Sequence, residues 1–199
     1  VLARYLDTPL RKIVALVLLL NLGYFGVEFA VALAIGSVAL FADSIDFLED
    51  ASINLLILLA LGFSPRNRAR VGMALAIVLL VPGLATLWTA YDRFANPVPP
   101  EPFSLSLAGA GALATNLTCA FLLAAFRHES GSLTRAAFLS ARNDVVANVA
   151  IICAGLVTAF LWHSVWPDLI VGLGIAAMNA DAAREVWQAA REENKLAEA

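Results

Sequence analysis

The sequence predicts an all-α, polytopic membrane protein with six transmembrane helices and both termini in the cytoplasm. Three observations lead there. The 199 residues are 61% hydrophobic and only 15% charged, with a mean hydropathy of +0.81, whereas a soluble domain runs at roughly 45–50% apolar and about 25% charged. Six apolar runs are long enough to cross a bilayer, which takes about 20 residues for about 30 Å of hydrocarbon. The cationic residues also segregate to one side of those runs. A β-barrel is excluded because the runs are continuous and show no ten-residue alternation.

The first run, 13–35, is too long for a signal-peptide core and is followed by five more of the same kind. Gly36 and Ser37 form a very short turn into the second run, 38–62. Ser64-Pro65-Arg66-Asn67 is a polar break before the third, 70–90, and Asn96-Pro97-Val98-Pro99-Pro100 is a stiff one before the fourth, 105–126. The charged stretch 127–132 precedes the fifth, 133–161. Trp166-Pro167-Asp168 then places a proline early in the sixth, 169–186. One transmembrane domain is expected over 1–190, followed by a short cytoplasmic tail, 191–199. The charged, helix-prone stretch 180–199 is too small to form a domain, so no C-terminal cytoplasmic domain is expected.

With the N-terminus in the cytoplasm, Arg4, Arg11, Lys12, Arg66, Arg68, Arg70, Arg127, Arg135, Arg184, Arg191 and Lys195 share that side, and only Arg93 falls outside. Trp88, Tyr91, Trp162 and Trp166 sit near the outer ends, where amphipathic rings settle at headgroup level. The protein is therefore expected in the cell inner membrane as a multi-pass chain, with the lipid bilayer as its surroundings.

Several function classes drop out. A net charge of -3 without an extended basic cluster leaves no footprint for nucleic acid. Cys119 and Cys153 lie in apolar runs, belong to no close metal-ligand spacing and read as packing residues. His128 and His163 fall at opposite membrane ends and cannot share a site. There is no nucleophile elbow, Walker loop or HExxH, so neither an enzyme nor an organic cofactor is indicated. Gly109-Ala110-Gly111 and Gly172-Leu173-Gly174 read as helix-packing spots.

What demands explanation is charge at membrane depth, where an ionisable group is expensive and by default a functional-site candidate. The second run carries Asp43, Asp46, Glu49 and Asp50 within eight residues. Asp46 and Asp50, at i and i+4, share one helix face, with Asp43 a turn earlier on much the same stripe. Such carboxylates repel one another unless a cation or a proton lies between them. In the fifth run Ser140, Asp144 and Asn148 also share a face. Asp46, Asp50 and Asp144 together make an oxygen-rich cage of the kind a divalent cation occupies, with Ser140 or water as fourth ligand. The bland alternative is that the acids hydrogen-bond one another, pair with Arg142 or line a wet vestibule. Arg142 lies about 160° around the helix from Ser140 and Asp144, facing away while still setting their electrostatics.

Around this set, Glu49 points off the Asp46/Asp50 face, with Arg142 as one partner to consider. Asn21 and Glu28, seven apart in the first run, either line the cavity or tie helices together. Asn54 extends the acidic stripe toward the cytoplasm as a pathway residue. Asn116 and Asn179 read as interhelical hydrogen-bonding residues.

On these residues the chain resembles the cation diffusion facilitator family, six-helix divalent-metal/proton antiporters. The stretch from Gly36 through Asp50, reading GSVALFADSIDFLED, is similar to that family's second helix, in which a His or Asp and an Asp four residues later bind metal. Those positions are Asp46 and Asp50. The stretches 21–28 and 137–150 resemble the family's first and fifth helices.

The resemblance implies a secondary transporter that exports a divalent cation and takes up protons, works as a homodimer, and has Asp46, Asp50, Asp144 and Ser140 as its metal set. The family's fifth helix carries His followed four residues later by Asp, where this chain has Ser140 and Asp144. Loss of the imidazole leaves a harder donor set, tilted toward manganese, iron(II), cobalt or nickel, with zinc still open. The family's small cytoplasmic α/β module has no counterpart in the 199 residues, which are either a member without that module or a piece of a longer chain. A rival reading of the same residues is a non-transporting scaffold or metal-sensing partner with a degenerate site; another is a passive channel.

Overall fold

The computed structural model describes residues 9–60, 84–124 and 132–178, together with Arg70 and Ala74; over 132–143 the description is of helix backbone alone. Among the described residues every regular element is helical. The helices are α1 (Pro9–Ile35), α2 (Val38–Ala60), α3 (84–95), α4 (Pro102–Ala124), α5 (Ser132–Phe160) and α6 (Trp166–Met178). The all-α class expected from composition is what is found. By length and composition, two helices, Leu10–Ile35 and Pro102–Ala124, are apolar enough to cross a membrane, with shorter apolar helices at Asp144–Phe160 and Trp166–Met178. α2 has the length of a span, but four acids lower its hydropathy. Most of the third expected span, the end of the sixth, Asn179, His128 and the tail 180–199 lie outside the described residues.

The turn between α1 and α2 is as short as Gly36-Ser37 suggests. Gly36 has φ +64, the left-handed conformation that glycine adopts without penalty, and its N–H donates back to the Ala32 carbonyl at 2.8 Å. Ser37 then caps α2, its Oγ accepting the Leu40 N–H at 3.1 Å. α4 starts three residues earlier than its apolar run. Glu101 caps it, taking the N–H groups of Phe103 and Ser104 at 3.0 and 2.6 Å, while Pro102 occupies the first helical position, where an N–H would have no partner. This exposed carboxyl is held below the usual carboxylate range, first by the Ser104 side chain and then by the two backbone donors.

α1 packs along α2, α2 against α5, α5 along α4, and α4 back against α1, which closes a ring of four helices. Small residues permit the close approaches: a Cβ at Gly109 would meet Ile151, and one at Gly172 would run into the α2 backbone at Val38 and Ala39. Of the two cysteines, Cys119 is buried as expected, whereas Cys153 is exposed and does not pack inside the bundle, because its position falls on the outward stripe of α5. Leu19, Leu33, Leu87, Trp88, Phe103, Phe121, Phe160 and Leu161 also face outward, an apolar exterior suited to lipid.

The interior of the ring is layered. One apolar cluster packs Ala32 of α1, Ala39–Ala42 of α2, Leu105 and Ala108 of α4, Ala147 and Ile151 of α5 and Ile175 of α6. A second joins Val14, Val17, Ile57, Cys119 and Leu123 at the other end. Between their levels lie Asn21, Glu28, Asp43, Asp50, Asn54, Asn116 and Asn148, all buried. A polar band is thus enclosed between two apolar ones.

Candidate metal centre

The second helix brings its acids inward because Val38–Phe41 fix its register against α6 and α1, so that residues 43, 46 and 50 face α5. Asp43 is fully buried, Asp50 is 3% exposed, and Asp46 is only partly buried. Asp144 of α5 is partly buried at the same level. Asp46 interacts electrostatically with Asp144, Asp43, Glu49 and Asp50, and Asp144 with Asp50, Asp43 and Glu49. The three acids proposed from spacing therefore share one neighbourhood although Asp144 is some hundred residues from the others in sequence. They do not form a closed cage: among the described residues no three His, Cys, Asp or Glu side chains gather as ion ligands. The side chains of Ser140 and Arg142 lie outside the described residues.

Asp43 has a different role from its neighbours. Its Oδ2 accepts a hydrogen bond from Asn148 Nδ2 at 2.7 Å, and Asn148 Oδ1 accepts one from Asn116 Nδ2 at 3.0 Å. A relay from α4 through α5 to α2 results, with Asn116 acting as interhelical glue in the manner expected. Asn148, grouped above with Asp144 by periodicity alone, is spent on Asp43. Asn54 Nδ2 donates to the Asp50 carbonyl at 2.8 Å, and its Oδ1 has no partner. Asn21 is buried and accepts a long contact from Cys119 Sγ at 3.8 Å. Glu49, read as turned off the acidic face, is nonetheless 7% exposed and within electrostatic range of Asp46 and Asp144.

Two arrangements were not foreseen. Glu28 of α1 meets Asp43: the two carboxyl groups lie within hydrogen-bonding reach. Their spacing in sequence, across the Gly36 turn, carries no helical signal. The other is a clasp at the start of α2. Asp168 accepts the Ser37 hydroxyl at 2.6 Å, the Val38 N–H at 2.7 Å and the Ala39 N–H at 3.2 Å, so that α6 supplies the anion that the N-terminus of α2 favours. Arg93 of α3 donates from Nε to the Gly36 carbonyl at 2.9 Å and attracts Asp168. In the sequence an Asp beside a proline marks a helix start, and nothing in the spacing pairs it with Ser37.

Comparison with known proteins adds a family. The profile described as "Cation efflux transmembrane domain" matches residues 14–192. The protein "Zinc transporter ZitB" of Escherichia coli (strain K12) is 30% identical over 180 residues, covering 83% of this chain and 56% of the relative. The protein of the same name from Shigella flexneri matches to the same extent. The chain thus spans about half the length of the curated relatives it matches.

Proposed function

The chain belongs to the cation diffusion facilitator family of cation-efflux proteins, and from that premise we propose that it exports a divalent transition-metal ion from the cytoplasm in exchange for protons. In this reading it is a secondary transporter and not an enzyme, a multi-pass protein of the inner membrane, and membership of a cation-efflux transmembrane family supports both. In this reading the metal is held by Asp46, Asp50 and Asp144, with Ser140 as a fourth oxygen ligand, and Asn54 and Asn21 line the approach from the cytoplasmic side. Six spans over 1–190, with both ends of that domain on the cytoplasmic side, and a homodimer complete the proposal; the one-sided distribution of cations and the two long apolar helices support the topology.

The observation that carries the reading is the burial of several carboxyl groups in one band of the bundle. Taking an isolated carboxylate out of water costs several kcal/mol, so such a band persists only if a ligand cation or protons neutralise it. Competition between the two follows directly. Protonated carboxyls cannot hold the metal, and an arriving metal displaces protons, so one site couples two opposed flows. Alternating exposure of that site to each side completes transport.

The oxygen-rich donor set favours manganese, iron(II), cobalt or nickel on ligand hardness, while the relatives named as zinc transporters favour zinc. The test is flux in proteoliposomes loaded with a metal indicator and a pH indicator, screening Mn²⁺, Fe²⁺, Co²⁺, Ni²⁺ and Zn²⁺. We expect saturable metal entry with matched proton exit, lost in D50A and D144N. Equal flux in wild type and both variants would refute the assignment of the site, and metal flux without proton counterflow would refute antiport.

A further inference from the structure

The polar band contains two carboxyl groups that the metal set does not use, those of Glu28 and Asp43. Glu28 is completely buried on α1, and among the described residues neither of its side-chain oxygens has a hydrogen-bond partner; Asp43 Oδ1 also has none. The two carboxyl groups are nevertheless within hydrogen-bonding reach of each other. Two ionised carboxylates offer no donor between them, so three buried acceptor oxygens would stand unsatisfied against a like charge. A single proton between the groups turns that repulsion into a short hydrogen bond.

The surroundings decide which group holds it. Asp43 Oδ2 already accepts the Asn148 amide at 2.7 Å, which favours the charged form of Asp43. Among the described residues nothing donates to Glu28. On its own helix, Tyr24 faces it from one turn earlier, but the Tyr24 hydroxyl is committed to the Ala108 carbonyl of α4 at 2.6 Å. From α2 the groups facing Glu28 are Asp43 and Asp46. From α5, Asp144 faces Asp43, and α4 reaches the pair only through Asn116 and Asn148. Among the described residues no cation stands in this set.

We propose that Glu28 is a proton-binding site in its own right, donating one proton to Asp43, and that a metal ion arriving at the neighbouring Asp46/Asp50/Asp144 set expels that proton. The second half rests on the transport reading above; the first does not. In the metal-free chain Glu28–COOH donates to the Asp43 carboxylate. A divalent cation one helix face away supplies the positive charge that lets both groups ionise. The O–H bond of Glu28 breaks, its electron pair stays on the carboxylate, and the proton leaves to water on the side to which the bundle is open. The return of a proton to Glu28 restores the hydrogen bond as the metal departs. The exchanged protons thus need not all come from the metal ligands themselves.

The test uses infrared spectroscopy and calorimetry on the full chain in lipid nanodiscs. The metal-free protein should show the C=O stretch of a protonated carboxylic acid. The band should shift when glutamate is ¹³C-labelled at its side-chain carboxyl, persist in E49Q and vanish in E28Q, whose amide keeps the shape and can still donate to Asp43. Saturating Mn²⁺ or Zn²⁺ should abolish it. In titrations across buffers of different ionisation enthalpy, proton release per metal bound should fall by about one from wild type to E28Q.

A labelled chain without a glutamate acid band, or a band that survives in E28Q, would overturn the proton site. A band that survives metal saturation would overturn its coupling. If E28Q does not fold, the labelled E49Q chain assigns the band with Glu28 untouched. The two readings fail separately: a chain that keeps the Glu28 band but binds no metal refutes transport, and one that binds metal with proton release but lacks the band refutes this site.

Discussion

Replacing Asp168 by alanine should cost about 3–5 kcal/mol of stability, the range for removing one member of a buried charged network. The figure follows from what the carboxylate holds. It accepts three hydrogen bonds, from Ser37 Oγ and from the N–H groups of Val38 and Ala39, in a place with no exposure to solvent. Hydrogen bonds to a charged group contribute about 1.5–3 kcal/mol each, but three on one acceptor are not additive. Truncation also strands two backbone donors at the positive end of α2 and removes the charge that Arg93 faces. S37A should cost about 1 kcal/mol, as loss of an ordinary cap does, because Asp168 remains. D168N should fall between, since one carboxamide oxygen can replace part of the acceptor set. Reversible unfolding in mixed micelles, followed by near-UV circular dichroism, measures all three, with I170A as a control at an outward-facing position. A D168A cost near the roughly 0.6 kcal/mol of an average interhelical hydrogen bond in a membrane protein would refute the reasoning, as would strictly additive costs in the S37A/D168A double variant.

Gly36→Ala should destabilise by about 1–3 kcal/mol, because φ is +64 and a Cβ would overlap the Arg93 guanidinium; the same micelle assay reads it, and a neutral result would show that the turn relaxes. Asn148→Ala removes the amide that links Asn116 to Asp43 and should cost about 1–3 kcal/mol, clearly more than Asn116→Ala, which leaves the bond to Asp43 intact. The Glu101 cap should respond to acid. Its folded carboxyl titrates below its unfolded value, so its contribution is fully present above the ordinary carboxylate range and is lost as pH falls through the depressed folded value. The amide shifts of Phe103 and Ser104 should follow that titration together, and E101Q should abolish it.

The parts of the molecule that were legible in advance are those written into short-range periodicity. Helix starts at Val38 and near Pro102, the Gly36 turn and the inward face of Asp46 and Asp50 all follow from residues within a few positions of one another. Asp144 could be nominated because charge in an apolar run is anomalous whatever lies opposite. Contacts between distant segments left no such trace. Glu28 and Asn21 could be placed on one stripe but not assigned a neighbour, and the partner of Glu28 proved to be Asp43 on the next helix. Asn148 shares a face with Asp144 yet serves Asp43, because α5 packs against both α2 and α4 and the amide bridges the two. Outward exposure of Cys153 was missed for a related reason. An apolar run in a membrane has no polar face to mark its outside, so periodicity cannot separate lipid from core.

The clasp at Asp168 also bears on how the chain is made. Among the described helices α2 carries the most acids, four, and each buried carboxylate opposes insertion by roughly 2.5–3.5 kcal/mol on translocon scales. The group that satisfies its first N–H donors lies 131 residues later in the sequence than Ser37. During synthesis at about 5–20 residues per second, α2 must therefore wait several seconds for its anionic cap. Until then it depends on α1, its immediate neighbour across the Gly36 turn, for shelter. The hairpin of α1 and α2 is thus made before its cap exists, and synthesis of the start of α6 supplies it.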